Sequence, residues 1–335
     1  MPTRVAINGF GRIGRLVLRA IHERSRRDIE VVAINDLGSI ETNAHLLRYD
    51  SVHGPFPGRV RATRTGLNFG RGTVPVLAVR DPANLPWGKL KVDVALECTG
   101  LFTKREAAGK HLEAGAKRVL ISAPATGEDI TVVMGVNHKR LRKSHRIISN
   151  ASCTTNCLAP VAYVAHRAFG IQRGFMTTIH SYTGDQRIHD TLHGDLRRAR
   201  AAAHNMIPTS TGAAKAVGLV LPDLAGKLDG TAVRVPTINV SLVDLTFVPN
   251  KRATVEGINK AMIKAAQGPL KGILATTDAP LVSSDFNHNP ASSIFDLAET
   301  QVIEGRFVRV LSWYDNEWGF SNRMADVAAM LGKLG

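Results

Sequence analysis

The stretch TRVAINGFGRIG, residues 3–14, decides the fold of the first part of the chain. Its apolar run from Val5 to Ile7 is typical of a buried strand, and the pattern GxGxxG follows directly and opens a helix. Asp36 ends the next apolar run, 22 residues after Gly14. A strand, a glycine turn and a helix, followed by an acid at this distance, predict a βαβ unit that binds a dinucleotide.

Each residue type in this unit has a physical role. The glycines let the backbone turn tightly and approach a pyrophosphate, whose charge the first N–H groups of the helix stabilise. Asp36 is expected to accept hydrogen bonds from the adenosine ribose and to repel a 2′-phosphate, which favours NAD over NADP. The alternative is a glycine-rich turn without a ligand.

Length and composition indicate an ordinary globular chain. Of its 335 residues, 44% are hydrophobic and 21% are charged, and a domain usually has about 100 to 200 residues, so we expect two domains. No apolar window approaches the roughly 18 residues of a membrane-spanning helix, and no signal-peptide pattern opens the chain. Three cysteines are too few for a disulfide framework. We therefore expect a cytoplasmic protein with reduced thiols and no membrane partner.

The net charge raises the alternative of a nucleic-acid-binding protein. Lys and Arg number 43, Asp and Glu number 28, and the formal net charge is +15. The basic residues are dispersed, however, and aromatic residues make up only 5%, so a platform for stacking bases is not indicated. We expect nucleic acid at most as a side activity, and a catalytically inactive scaffold is disfavoured by the site residues described next.

The periodicity of the chain changes near residue 150. Residues 1–150 alternate short β-branched runs with helical stretches, which predicts a Rossmann-type α/β domain with a mainly parallel sheet that binds NAD. Residues 151–316 contain longer alternating runs, which predict an α+β catalytic domain with a mainly antiparallel sheet. Residues 317–335 are expected to form a helix that packs back on the first domain.

A second chemical signal is the segment SNASCTTNC, residues 149–157, where a strand gives way to a helix. Cys153 falls in the first turn, with Ser152 as N-cap, and the exposed N–H groups there are expected to stabilise a thiolate and lower its pKa. A thiolate nucleophile needs a base within reach. His180, on the alternating strand GFMTTIHSYT, is the candidate, although such a histidine is more often part of a core.

The other cysteines and histidines have simpler interpretations. Cys98 and Cys157 are expected to be small packed side chains. His189 and His193 are one helical turn apart, but no third ligand accompanies them, so no metal site is expected.

Basic and hydroxyl residues of the second half are candidates for binding a phosphorylated substrate. Arg198 lies in the basic segment RRAR, and Thr211 and Gly212 precede a helix whose N-terminus offers N–H groups. Arg234 interrupts an apolar strand, where a charge needs a partner. Each of these is ordinary alone, because an arginine cluster is usually a solvated surface.

Sequence blocks along the whole chain resemble one family. They are AINGFGRIGR, YDSVHG, SNASCTTNCLAP, HSYTGDQ, DLRRARAA, IPTSTGAAKAVG, RVPTINVS and WYDNEWGFSNR. In their order and spacing they resemble the phosphorylating glyceraldehyde-3-phosphate dehydrogenases of the bacterial type I. The resemblance implies oxidation of glyceraldehyde 3-phosphate with NAD and inorganic phosphate to 1,3-bisphosphoglycerate, through a cysteine thioester, in glycolysis or gluconeogenesis.

The resemblance also implies a role for particular residues. Cys153 is the nucleophile and His180 the base that activates it. The residues implied to hold NAD are Gly9, Gly11, Arg12, Ile13, Gly14, Asp36, Arg80, Ser122 and Asn316. Those implied around the substrate phosphate are Thr183, Asp185 and Arg234, and those around the attacking phosphate are Ser152, Thr154, Arg198, Thr211 and Gly212. The family is homotetrameric, and a neighbour's loop, here about residues 182–205, helps to wall the cofactor pocket.

Three positions depart from the family pattern. Phe320 replaces a tyrosine near the nicotinamide, Gly184 replaces a common asparagine, and Thr191-Leu192 replaces a leucine-proline pair that resembles the NAD-selecting pattern. Dehydrogenases of erythrose 4-phosphate share the cysteine block and RVPTINV, so this substrate is the alternative within the class. The blocks HSYTGDQ and STGAAK resemble the glyceraldehyde-3-phosphate branch.

Overall fold

A computed structural model describes residues 1–334 of the chain, which divide into two compact units. The first unit comprises residues 1–134, 138–152 and those from Ser321 onward, and the second comprises residues 135–137 and 153–320. None of the helices in the described residues is long and apolar enough to cross a membrane.

A nine-stranded sheet forms the centre of the first unit. Its strands are β1 (Thr3–Asn8), β2 (Ile29–Asn35), β3 (Arg61–Ala62), β4 (Gly66–Asn68), β5 (Thr73–Leu77), β6 (Val94–Glu97), β7 (Arg118–Ile121), β8 (Ile130–Thr131) and β9 (Ile147–Ser149). They lie in the order β3, β4, β5, β2, β1, β6, β7, β9, β8. All pairs are parallel except those that β4 makes with β3 and β5. The helices are α1 (Arg12–Glu23), α2 (Ile40–Arg48) and α3 (Arg105–Glu113).

The central strands of this sheet are apolar on both faces. Val5 of β1 pairs with Val31 of β2 on one side and Val94 of β6 on the other, and both Val5 and Val94 are fully buried. Strands of this kind belong to parallel sheets covered by helices, so the predicted α/β architecture is confirmed. Because β2 and β6 lie on opposite sides of β1, a crevice opens at the carboxyl ends of β1 and β6, where α/β proteins bind ligands.

A seven-stranded mixed sheet forms the second unit. Its strands are β10 (Ile171–Ser181), β11 (Ile207–Ser210), β12 (Leu228–Val235), β13 (Ser241–Pro249), β14 (Leu274–Thr277), β15 (Ser293–Ile303) and β16 (Phe307–Tyr314). Their order is β11, β12, β10, β13, β16, β15, β14, and only the pairs β10–β12 and β14–β15 are parallel. The helices are α4 (Cys153–Phe169), α5 (Ala213–Val220) and α6 (Val255–Gln267). The predicted mainly antiparallel sheet is confirmed.

Helix α4 packs against this sheet through its buried face. Cys157 is fully buried, and its Sγ lies 3.5 Å from Oγ of Ser293 on β15. Burial raises the pKa of the Cys157 thiol to about 12, so this cysteine is a packed side chain, as predicted. Cys153 is the first residue of α4 and lies at the N-terminal end of this helix.

The last helix, α7 (Trp318–Lys333), contributes its residues from Ser321 onward to the first unit. Asp326 on α7 accepts a hydrogen bond from Arg26 at 2.6 Å and another from the buried Arg323 at 2.7 Å. Arg24 donates to the side-chain oxygen of Asn322 at 2.9 Å. These polar contacts join the end of α1 and the segment after it to α7.

Replacing Asp326 with Asn is expected to lower the free energy of unfolding by about 3 kcal/mol, because a largely buried arginine loses its counter-ion. Thermal or urea unfolding measures this change. Asp278→Asn, at an exposed position, is the matched control. Equal unfolding curves for the two variants would contradict the role given to Asp326.

Candidate active site

The glycine turn after β1 forms one wall of a cleft at the carboxyl ends of the strands. Gly9 has a φ of +89°, which L residues rarely adopt, and Gly11 precedes Arg12, the first residue of α1. Gly14 lets α1 pack against the turn, since a Cβ there would lie 2.1 Å from the carbonyl oxygen of Gly9. Arg12 and Ile13 are the first two residues of α1, and the N-terminal turn of a helix suits an anion.

Asp36 follows β2 directly and lies beside this turn. Its Oδ2 accepts a hydrogen bond from the backbone N–H of Phe10 at 2.8 Å, and its Oδ1 accepts one from Gly38 at 2.8 Å. The side chain of Arg12 is paired with Asp50 at 2.6 Å. The carboxylate of Asp36 is therefore placed by the same turn that approaches a pyrophosphate.

The cleft has a volume of about 350 Å³. Its lining residues are Asn8, Gly9, Gly11, Asn35, Asp36, Leu37, Val79, Arg80, Cys98, Thr99, Leu101 and Phe102. Ser122 lies at the end of β7 and hydrogen-bonds the thiol of Cys98, whose pKa burial raises. A turn that accepts only glycine, beside a carboxylate at the end of the next strand, fits the pyrophosphate and adenosine ribose of NAD.

The second unit brings the predicted cysteine and histidine together. Cys153 is the first residue of α4, and His180 is the last residue but one of β10. The Sγ of Cys153 lies 3.6 Å from Nε2 of His180, which is buried. Sequence alone could not show this proximity, because 27 residues separate the two positions. A thiol and an imidazole at this distance have the geometry of a nucleophile and its base.

The remaining ring nitrogen of His180 lies against Ser181 and Arg234. Its Nδ1 is 2.7 Å from the carbonyl oxygen of Ser181, an acceptor. In the tautomer that carries its proton on Nδ1, this nitrogen donates to that oxygen and the lone pair of Nε2 faces Cys153. Arg234 lies opposite His180 in the parallel β10–β12 register, and its Nη1 is 2.8 Å from Nδ1 and 3.0 Å from the same oxygen. Burial, and then the charge of Arg234, lower the pKa of His180 to about 3. The imidazole is therefore neutral at pH 7.

The thiol of Cys153 does not have the lowered pKa that its position at the start of a helix predicts. Burial raises its pKa above the usual value, and this effect exceeds the lowering by the charge of Arg234 and by hydrogen bonds at Thr154. The prediction was wrong because it considered the helix terminus alone. Desolvation by strands distant in the sequence outweighs the helix N-terminus, so the unliganded thiol is mostly protonated at neutral pH.

Tyr314 is a residue of this site that sequence reasoning missed. Its hydroxyl lies 2.8 Å from Oγ1 of Thr154 and 2.9 Å from Oγ1 of Thr178, and its ring meets the His180 ring edge to face at 5.9 Å. Thr154 follows Cys153, and Thr178 precedes His180 by two positions. The phenol thus connects the segments that carry the thiol and the imidazole. A tyrosine near the end of a strand carries no signal of such a contact.

Arg198 is held by polar partners in the loop that follows β10. Its Nε donates to Oγ1 of Thr209 at 2.9 Å, and its Nη1 pairs with Oδ2 of Asp185 at 2.7 Å. Thr183, at the start of the same loop, donates its backbone N–H to the side chain of Gln186 at 3.4 Å. These contacts fix the orientation of the Arg198 guanidinium group, and the carboxylate of Asp185 partly neutralises its charge.

The hydroxyl segment before α5 lies on the same edge of the sheet as Arg234. Thr209 of β11 pairs with Ala232 of β12, and Thr211 accepts a hydrogen bond from the N–H of Ala213 at 3.2 Å. Gly212 is the last residue before α5. The Nε of Arg234 is buried and has no hydrogen-bond partner within the described residues. A buried guanidinium group with an unused donor is suited to an anionic ligand.

Two other predicted residues are held by side-chain contacts. Asn316 lies just after β16, and its Oδ1 accepts hydrogen bonds from the hydroxyls of Ser181 at 2.9 Å and Ser241 at 3.2 Å. Its amide nitrogen therefore points away from these serines. Thr154 is engaged by Tyr314, as described above, and Ser152 is the last residue of the first unit before α4.

A chain that has a dinucleotide cleft on a parallel sheet, and a partly buried cysteine beside a neutral histidine on a second sheet, is an NAD-dependent oxidoreductase that acts on an aldehyde. Two family models match it: the NAD binding domain of glyceraldehyde 3-phosphate dehydrogenase over residues 3–105, and the C-terminal domain of the same enzyme over residues 152–316. The chain belongs to the glyceraldehyde-3-phosphate dehydrogenase family, and NAD is its cofactor.

Full-length relatives agree with this assignment. The chain is 67% identical to the glyceraldehyde-3-phosphate dehydrogenase of Xanthobacter flavus and 65% identical to that of Cereibacter sphaeroides, with 100% of each chain covered. It is 59% identical to the enzyme of Geobacillus stearothermophilus, again over 100% of both chains. The resemblance found in the sequence blocks is thus confirmed over the whole length.

Replacing Arg234 with Leu is expected to slow alkylation of Cys153 at pH 7 by about tenfold, equivalent to ~1.4 kcal/mol of lost charge stabilisation. The cation lowers the thiol pKa, so its removal raises that pKa and shifts the rate profile to higher pH. Iodoacetamide kinetics from pH 6 to about 10 measure the shift. The exposed Arg197→Leu is the control, and superimposable profiles for the two variants would refute this coupling.

Proposed function

We propose that the chain catalyses the phosphorylating oxidation of glyceraldehyde 3-phosphate to 1,3-bisphosphoglycerate with NAD and inorganic phosphate. The observation that carries the proposal is the 3.6 Å separation between Sγ of Cys153 and Nε2 of the neutral His180. The names of the relatives, at 58% to 67% identity over essentially the whole chain, support the same activity.

The reaction begins with the protonated thiol of Cys153. His180 accepts the thiol proton at Nε2 as sulfur attacks the aldehyde carbon and the carbonyl π bond breaks. The protonated His180 then passes this proton to the alkoxide oxygen, which gives a hemithioacetal and restores the neutral imidazole. Removal of the hemithioacetal hydroxyl proton by His180 accompanies hydride loss from the same carbon and leaves a thioester on Cys153. When bound, NAD accepts this hydride. Phosphate then attacks the thioester carbonyl, and the Cys153 thiolate leaves as the acyl phosphate forms.

The arginines of the second unit supply the charge for two phosphate groups. Arg234, with its unused Nε, is proposed to bind the phosphate of the substrate, and Thr183 and Asp185 are proposed to lie around that site. The attacking phosphate is proposed to bind at a second set of residues: Ser152, Thr154, Arg198, Thr211 and Gly212. Asn316 is proposed to hold the nicotinamide carboxamide through its amide nitrogen, because its oxygen is already used by two serines.

The remaining cofactor contacts follow from the first unit. We propose that the backbone of the glycine turn and of the first turn of α1 binds the pyrophosphate, that Asp36 binds the adenosine ribose, and that Arg80 and Ser122 complete the site. The two compact units are proposed to be the NAD-binding domain, with α7 packed on it, and the catalytic domain.

Assembly and location are also proposals. Three leucine and isoleucine side chains of the loop after β10 are at least 80% exposed: Ile188, Leu192 and Leu196. Such side chains favour burial against another copy of the chain. We propose that the assembly is a homotetramer and that its location is the cytoplasm. Light scattering of the purified protein measures the mass against the 36.2 kDa of one chain.

One rate assay tests the substrate assignment. Initial rates are measured with glyceraldehyde 3-phosphate and with erythrose 4-phosphate, each with NAD⁺ and NADP⁺, with and without inorganic phosphate. We expect the fastest turnover with glyceraldehyde 3-phosphate, NAD⁺ and phosphate. Faster turnover of erythrose 4-phosphate would make that sugar the substrate. A rate that does not depend on inorganic phosphate would contradict formation of an acyl phosphate.

Cys153→Ser is expected to abolish phosphate-dependent turnover, by about 10³-fold or more, because a hydroxyl is a far weaker nucleophile beside this base. Cofactor binding measured by fluorescence is expected to survive. Cys157→Ser is the matched control, since Cys157 packs against Ser293 and takes no part in the chemistry. Near-normal turnover of Cys153→Ser would refute covalent catalysis.

His180→Asn is expected to slow alkylation of Cys153 at pH 7 and to lower kcat by about 10² to 10⁴-fold, the usual contribution of a positioned base. The physical reason is the loss of the proton acceptor 3.6 Å from sulfur. Iodoacetamide kinetics and steady-state rates provide the two measurements. An unchanged alkylation rate would count against the pairing.

A further inference from the structure

A buried polar cluster in the first unit takes no part in the chemistry described so far. The side chains of Glu97, at the end of β6, and His111, on α3, both have no exposed surface. The Nε2 of His111 lies 2.9 Å from Oε2 of Glu97. Burying a carboxylate is costly unless donors replace its water, so this cluster needs an explanation.

Trp87 determines which nitrogen of His111 carries the proton. Its indole Nε1, which can only donate, lies 2.9 Å from Nδ1 of His111. Nδ1 is therefore the acceptor, Nε2 carries the hydrogen, and His111 donates to the carboxylate of Glu97. This fixes His111 as a donor toward Glu97 in the folded chain.

Glu97 accepts four hydrogen bonds on its two oxygens. Oε2 receives the His111 bond and one from Nδ2 of Asn8 at 2.6 Å. Oε1 receives the backbone N–H of Thr99 at 2.8 Å and the Thr99 hydroxyl. A carboxylate with this full set of donors has one orientation, because rotation would leave buried donors unpaired.

The donors of Glu97 are also walls of the NAD cleft. Asn8 and Thr99 both line it. A Cβ on Gly9 would lie 2.7 Å from the backbone nitrogen of Thr99, so the glycine turn packs directly on the N–H that Glu97 holds. The position of the turn that approaches the pyrophosphate therefore depends on Thr99, and the position of Thr99 depends on Glu97.

The hydrogen-bonded chain continues to the opposite wall. The Oδ1 of Asn8 accepts from Nδ2 of Asn35 at 2.7 Å. Asn35 accepts from the N–H of Val79 at 2.9 Å and donates to the carbonyl of Val79 at 2.8 Å. Val79 lines the cleft and precedes Arg80. One carboxylate thus connects the ends of β1, β2 and β6 with the segment after β5.

We propose that Glu97 is a positioning residue for NAD: its buried carboxylate, oriented by His111, holds Asn8 and Thr99 so that the glycine turn keeps the shape that receives the pyrophosphate. It touches neither substrate nor reacting atoms. The inference rests on the NAD-dependent function proposed above. It goes beyond that function because it makes the affinity for NAD depend on Glu97, a side chain that does not itself line the cleft.

The test is NAD⁺ affinity of the full chain, measured by calorimetry without substrate, in Glu97→Gln. The substitution keeps the shape but presents an amide NH₂ to donors, so we expect NAD⁺ to bind at least about tenfold more weakly. The KM for NAD⁺ should rise in parallel. Alkylation of Cys153 in the absence of NAD⁺, a property of the second unit, should stay within about twofold of the unmodified chain.

Asp326→Asn is the matched control, because it also removes a carboxylate of the first unit from its partners but does not line or support the cleft. It is expected to lower the melting temperature and to leave the Kd for NAD⁺ unchanged. Unchanged NAD⁺ affinity in Glu97→Gln, or equal weakening in both variants, would overturn the proposal. Failure of the unmodified chain to bind NAD⁺ would instead overturn the proposed function.

A second pair of variants decides the matter if Glu97→Gln does not fold. Thr99→Val keeps the side-chain shape but loses the hydroxyl that donates to Glu97 and accepts from the N–H of Leu101, whereas Thr99→Ser keeps both bonds. We expect weaker NAD⁺ binding in Thr99→Val and near-normal binding in Thr99→Ser. Equal affinities in the two variants, or the reverse order, would overturn the role of the Glu97 cluster.

Discussion

The approach of the Cys153 thiol to the imidazole of His180 is the interaction on which the proposed chemistry depends. Four separate segments produce it: the first turn of α4, the end of β10, β12 with Arg234, and β16 with Tyr314. Ser181 orients the ring, and Tyr314 connects the segments that carry sulfur and nitrogen. Because each contact comes from a different element, the pair forms only when the whole mixed sheet is assembled.

Buried charge is used in two different ways in this molecule. Glu97 accepts hydrogen bonds on both oxygens from side chains and backbone of its own unit, so it has no capacity left for a ligand. Arg234 has an Nε without a partner among the described residues, so it retains capacity for an anion. A satisfied buried charge maintains shape, whereas an incompletely satisfied one provides a binding site.

Local sequence was sufficient for the first unit's ligand cleft. The glycine turn, Asp36 and the strand and helix around them are contiguous, and their geometry follows from local backbone rules. The short strands β3 to β5 were not predicted, because each has five residues or fewer and their segments include exposed arginines. The pKa of Cys153 was predicted in the wrong direction, since its burial depends on strands far along the chain. Tyr314 and Glu97 gave no local signal for the same reason.

The path of α7 has a consequence for how the protein is made. The first unit takes its final segment from residue 321 onward, where Asp326 meets Arg26 and a Cβ on Gly332 would collide with Thr3. The ribosome must therefore synthesise the second unit's residues up to 320 before the first unit receives α7. Of the two units, the one whose strands are made first is thus completed after the one that follows it.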